Sequence, residues 1–151
     1  VHVSGPERGN VLVEAYDAGT GSEGRLTNVS ARNVVGTGSD ILVAGFVIQG
    51  TGPKTVLLRA VGPALKPFGV PQPLEDPLLE VYAGDTKIAE NNNWAPALSS
   101  TFSQVGAFEL PADSKDAAIQ LTLQPGLYTV QVRGANGGTG EALIEVYEVA
   151  P

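Results

Sequence analysis

Three copies of one short spacing carry most of the chemistry open to this chain: Glu14-x-Tyr16, Glu80-x-Tyr82 and Glu145-x-Tyr147. Residues two apart on a strand share a face, so each triplet sets a carboxylate beside a phenol. Two such carboxylates brought together would suit general acid–base work. The preferred reading is a repeated, solvent-side ladder of Glu and Tyr, in which Tyr supplies rigid contact area between subunits. Asp76, Asp85, Asn91, Asn92 and Asn93 form an oxygen-rich set and are the candidate calcium ligands. Calcium takes roughly six to eight oxygens, carboxylates usually among them; with neutral amides dominating, Asx-turn chemistry is the competing explanation. Trp94, the sole tryptophan, is either a sugar-stacking platform or an anchor at a sandwich edge. His2 is the only histidine and reads as an ordinary strand residue. Gly-x-Ser-x-Gly and His-rich metal spacings do not occur. No catalytic residue and no organic cofactor are therefore assigned, and the chain is not expected to be an enzyme.

The elements that position these residues read as strands. Nineteen Gly and eleven Pro beside 42% hydrophobic and 17% charged residues describe many short strands with tight turns, and 151 residues suit one domain. Residues 25–32 read as a strand. Asp40–Gln49 is a nearly continuous apolar run, read as a central strand covered on both faces. Lys54–Val61 is expected to pair back on it as a hairpin. Residues 62–73 are too proline-rich for a ladder and are expected to wrap one end of a sandwich. Pro77–Tyr82 and Thr86–Glu90 form a hairpin across Ala83-Gly84-Asp85, residues 95–105 hold a short helical turn, Asp116–Leu123 is a strand, and Gln124-Pro125-Gly126 turns into Leu127–Arg133. Nine or ten antiparallel strands predict an all-β, two-sheet β-sandwich or jelly roll.

The chain also repeats itself. Val1-His2-Val3-Ser4-Gly5, a turn and Val11-Leu12-Val13-Glu14-Ala15-Tyr16-Asp17 return about 130 residues later as Val130-Gln131-Val132-Arg133-Gly134, a turn and Ala142–Glu148. Both copies read as β-hairpins. Residues 1–17 then form an extra N-terminal hairpin duplicating the closing hairpin of the unit, residues 18–24 a Gly-rich linker, and residues 25–151 the sandwich.

Several longer runs resemble a known but uncharacterised repeat: Arg25–Ser30, Val35–Gly38, Leu42–Ile48, Gly52–Pro63 and Asp76–Tyr82. The repeat occurs in large secreted or surface proteins of environmental bacteria, the Verrucomicrobia among them, and the resemblance implies location and architecture but no activity. The second half, residues 76–149, resembles the pre-peptidase C-terminal domains of secreted bacterial proteases, which are jelly-roll modules. The likeness is carried by Gly84-Asp85, Asn91-Asn92-Asn93 and Pro125-Gly126-Leu127-Tyr128-Thr129-Val130-Gln131-Val132. Some of those modules bind calcium, but this chain has Asn where they tend to have Asp.

A net charge of −7 argues against phosphate-backbone binding, so no nucleic-acid partner is expected. No apolar stretch reaches the roughly 20 residues that span a bilayer. A chain led by Val reads as processed or excised, and an extracellular or cell-surface location follows from the resemblances. The first expectation is a structural protein whose partners are copies of itself, joined head to tail by strand addition through Val1, Val3, Val11, Leu12, Val13, Ala15 and Tyr16. The alternative is a non-catalytic accessory or binding module of a larger secreted enzyme or adhesin, recognising polysaccharide or calcium through Trp94 and the Asn cluster.

Overall fold

A computed structural model describes residues 2–6, 11–15 and 26–150. Among these, eight strands form two antiparallel four-stranded sheets. The strands are β1 (Asn28–Val35), β2 (Leu42–Ile48), β3 (Lys54–Val61), β4 (Pro77–Ala83), β5 (Thr86–Asn91), β6 (Ala117–Leu123), β7 (Gly126–Gly134) and β8 (Gly140–Val149). The first sheet has the order β1-β8-β3-β6 and the second β2-β7-β4-β5. The expected all-β sandwich is the observed fold.

Alternation along the strands builds the core between the sheets. Val56, Leu58 and Ala60 of β3 and Ala142, Ile144 and Val146 of β8 point inward from the first sheet, to meet Leu79 and Val81 of β4 and Val130 and Val132 of β7. Each fully buried Val, Leu or Ile among them contributes on the order of 1.5–3 kcal/mol. A second core lies on the outer face of the first sheet. There Leu57, Val61 and Tyr147 pack under Ala64, Leu65, Trp94 and Phe102, which come from the 3-10 turn Pro63–Phe68 and the helix α1 (Ser99–Val105) with its lead-in. The described residues thus form three layers, a helical cap over one sheet and a second sheet whose outer face none of them covers.

The distal end, away from the start of β1, is closed by the segment after the 3-10 turn. Leu74 N donates to Glu141 O at 2.7 Å and Glu141 N to Gln72 O at 2.8 Å, so the proline-rich stretch does wrap an end. Gly62 is required there, because a Cβ on it would lie 2.0 Å from Leu74 O.

Three pairings differ from the sequence expectation. β2 is an edge strand, not a central one, and its burial alternates. The strand buried almost continuously is β3, because the cap covers the face that would otherwise meet water. β3 does not pair back on β2; it crosses to the other sheet and pairs with β6 and β8. Likewise β7 and β8 are not a closing hairpin, since β7 pairs with β2 and β4 while β8 pairs with β1 and β3. A link of a few residues serves a crossover between facing sheets as well as it serves a hairpin. The β4–β5 hairpin and the helical turn at α1 are found as expected.

Residues 2–6 and 11–15 carry no strand and are exposed. The expected N-terminal hairpin, with its turn and both ends, falls in large part outside the described residues. Val1, Tyr16, the intervening turn and the linker lie outside the described residues.

Candidate functional site

The two Glu-x-Tyr triplets of the sandwich sit on opposite outer faces. In β8 the triplet faces the cap. Arg59 of β3 stands directly across the ladder from Glu145, and its Nε lies 3.0 Å from Glu145 Oε2. The pair is off hydrogen-bond alignment, so neither atom has a hydrogen-bond partner among the described residues; the contact is an ion pair. The Tyr147 hydroxyl donates to Glu145 Oε1 at 2.6 Å. Arg59 Nη1 donates to Phe108 O at 2.7 Å, and the guanidinium lies between the rings of Phe102 and Phe108, 4.6 and 4.5 Å from their centroids. Arg59 is wholly buried. Burial pulls its pKa down, and Glu145, Tyr147, Asp116 and Glu109 push it back up. Burial first and the Glu145 carboxylate second raise the Tyr147 phenol well above its ordinary range, so it remains a neutral donor. This is a clamp of charge and aromatic rings tying the cap to the sheet.

A second buried carboxylate braces the same layer. Asp116 Oδ1 accepts from Gly62 N at 2.7 Å and, at 3.4 Å, from Ala64 N, and so holds the start of the 3-10 turn. Sequence reading missed both Arg59 and Asp116. The available signal was a lone Arg inside the apolar run Val56–Val61 and an Asp heading the apolar strand Ala117–Leu123, since charges in such runs are buried only when paired.

In β4 the triplet lies on the open face of the second sheet. Glu80 Oε1 accepts from Lys87 Nζ at 3.1 Å and Glu80 Oε2 from the Tyr82 hydroxyl at 3.4 Å. Arg133 Nη2 of β7 also donates to Glu80 Oε2. A register shift between Val81 and Tyr82 brings Lys87 opposite Tyr82, within reach of Glu80. Lys87 also donates to Glu90 at 2.6 Å; these two bonds raise its pKa, and the same bond lowers that of Glu90. Glu80 is 5% exposed although no other layer of the described residues covers this face.

Neither triplet is the solvent-side ladder expected, because each carboxylate is held down by cations that the sequence pattern does not reveal. Glu80 and Glu145 lie on opposite sides of the molecule, so the carboxylates of the two triplets are not brought together; the neighbour of Glu80 across the ladder is Glu90, and Lys87 bridges the two. Glu14 lies on the exposed N-terminal segment.

The candidate calcium ligands are divided by one strand. Asp76 precedes β4 and Asp85 follows it in the turn to β5, about 20 Å apart along the strand. Asn91 ends β5 opposite Leu79, nearer the Asp76 end, and Asn92 and Asn93 follow it, exposed. Asp76 accepts from Lys115 Nζ at 2.8 Å, which raises the lysine's pKa. Asn91 Oδ1 accepts from Ala118 N at 3.0 Å. Among the described residues no three His, Cys, Asp or Glu side chains are grouped to hold a metal. Trp94 is 6% exposed, packs on Phe102 at 5.3 Å and donates from Nε1 to Pro111 O at 3.1 Å. It anchors the cap and is not a sugar-stacking platform, because its ring faces are taken up by the second core. Of the N-terminal contact residues, Val3, Val11, Leu12, Val13 and Ala15 are all exposed, and His2 is exposed beside them. No described helix is long and apolar enough to cross a membrane.

The molecule is thus an antiparallel β-sandwich with a helical cap on one face. No protein-family model matches the chain, and no curated protein matches it. Among solved structures it is similar to the pre-peptidase C-terminal domain of a collagenase from Bacillus anthracis. The identity is 13% and the TM-score 0.48, with 79% of this chain and 88% of that one covered.

Proposed function

We propose that this chain is a non-catalytic β-sandwich module of a larger extracellular protein, carried in tandem with another copy of the same unit. The carrying observation is the identity of the repeated segment. Residues 1–17 copy the second half of β7 and most of β8, and in the sandwich those strands lie in different sheets. Such a segment is at home only in a complete unit, where it would run from one sheet into the other. In this unit the place is filled, since β8 already sits between β1 and β3. Residues 1–17 then belong to a preceding sandwich, and the Gly-rich stretch joins the two.

Removal of Val1 to Ala18 tests this reading. The shortened chain is expected to melt within about 1 °C of the full chain, because the sandwich does not use the segment; a fall of several degrees would show that the segment docks on the body. A filament built by strand addition is the second reading, favoured by one observation: β1 is an edge strand exposed along its length except at Val35, and an unpaired edge accepts another strand. Electron microscopy of the full and shortened chains separates the two. Filaments formed by the full chain alone would select strand addition.

A further inference from the structure

We propose that residues 11–16 are a reserve strand for the slot between β1 and β3, able to take that place when β8 leaves it. The slot and both candidate strands lie in one chain, whatever precedes it. What the slot accepts is shown by its occupant: β8 pairs with β1 on one side and with β3 on the other.

The upstream copy meets the demands that the slot places on β8. Toward the core, Ala142, Ile144 and Val146 have Val11, Val13 and Ala15 as counterparts, apolar at each place and together smaller by a single methylene. Toward the cap, Leu143, Glu145 and Tyr147 have Leu12, Glu14 and Tyr16, with no change of residue. The carboxylate that balances Arg59 and the phenol that donates to it are therefore both supplied. At the distal end of the slot a Cβ on Gly140 would lie 2.7 Å from Leu74 N, and the copy has glycine there too, at Gly9. Glu141 is bound to Gln72 and Leu74 through its backbone, which its counterpart Asn10 also offers.

The connection fits as well. Asn28 pairs with Tyr147, so in the register of β8 Tyr16 would stand opposite Asn28. Residues 17–27 would then bridge one antiparallel step of about 5 Å, although fully extended they reach roughly 40 Å. The copy would enter the slot as the first strand of a hairpin with β1, antiparallel to it as β8 is. Shape explains why β8 holds the place. Val11 overfills the site of Ala142, which is wholly buried, and Ala15 underfills that of Val146, and a packed core resists both changes. The copy is the weaker of two fitting strands and takes the slot only when β8 is displaced.

The full chain carries the test. Ile144→Asp sets an unpaired charge at a wholly buried position and expels β8, while the upstream copy is left intact. This variant is expected to keep a cooperative thermal transition, at a lower midpoint than the parent chain. Val13→Asp combined with Ile144→Asp spoils both strands and should lose the transition. Val13→Asp alone should move the midpoint by no more than about 2 °C, because β8 then keeps its place. Position is read separately. Leu143 faces Arg32 across the β1–β8 ladder, so the copy would bring Leu12 opposite Arg32, at a spacing that a disulfide can bridge. The sequence has no cysteine. Leu12→Cys with Arg32→Cys should therefore cross-link under mild oxidation in the Ile144→Asp chain and stay reduced in the chain whose β8 is intact. An Ile144→Asp chain that does not fold, or that folds equally well once Val13→Asp is added, overturns the proposal. Cross-linking to the same extent with and without Ile144→Asp overturns it too.

Discussion

The same three residues, Glu-x-Tyr, meet opposite fates on the two outer faces of this sandwich. On β8 the triplet is sealed beneath the cap, where Glu145 is packed with Arg59, Phe102 and Phe108. On β4 it lies on a face that no layer of the described residues covers, and Glu80 is held by Lys87 and Arg133, whose side chains are 42% and 43% exposed. Attraction between opposite charges is strong where water is excluded and weak where ions and solvent reach them. The first cluster therefore holds two layers of the molecule together, while the second trims an open surface. Spacing alone is blind to this difference. What decides it is the register that places Arg59 across from Glu145 and the cap that closes over both.

The largest expected effect lies in the sealed cluster. Arg59→Met leaves the Glu145 carboxylate buried without its cation and removes the filling between the two phenylalanines, and should cost about 3–5 kcal/mol in urea unfolding. Adding Glu145→Leu should restore much of that loss, because two apolar side chains need no pairing. A loss below about 1 kcal/mol for Arg59→Met alone would erase the contrast between the faces.

Tyr147→Phe is the intermediate case, at about 1–2 kcal/mol near neutral pH for the lost donor to Glu145. It also sharpens the comparison through pH. The folded phenol titrates above its unfolded value, which is about 10. Below that pH both states hold the proton and the stability is fully present. Above it the unfolded chain ionises first, so stability falls as pH rises. Melting curves taken from about pH 9 upward should decline less steeply for Tyr147→Phe than for the parent chain. Equal slopes would mean that the hydroxyl is not sealed from solvent.

The smallest effect belongs to the open face. Glu80→Gln should cost about 1 kcal/mol at low salt, and the difference should shrink as sodium chloride is added. A salt-independent loss as large as that of Arg59→Met would place Glu80 in the sealed class.

Much of the fold could be read locally. The β4–β5 hairpin announced itself through Gly84-Asp85, where Gly84 takes a left-handed φ of 57°. The helical turn and β6 were bounded by Pro and Gly. Sheet membership was not legible, because the short links between β2 and β3 and between β7 and β8 look like hairpin turns and instead cross the sandwich. The continuous burial of β3 depends on a cap of which the 3-10 turn follows the strand directly, while Phe102 and the rest of α1 come some 40 residues later in the chain, beyond any window over β3. The division of Asp76 from Asp85 was legible in principle, since a full strand between two residues separates them by its length. The roles of Arg59 and Glu145 were not, as they arise from cross-strand register.

The place of β8 between β1 and β3 also governs when the first sheet can form. β1 pairs with β8, the last strand of this sandwich in chain order, so from its emergence until residue 149 has left the ribosome it waits beside an empty position. Long waits of this kind slow folding and invite borrowed partners. In a tandem chain the nearest substitute is the upstream copy of β8, whose sequence is that of Val11–Tyr16. In such a chain correct assembly would be a contest between a strand already made and one still to come.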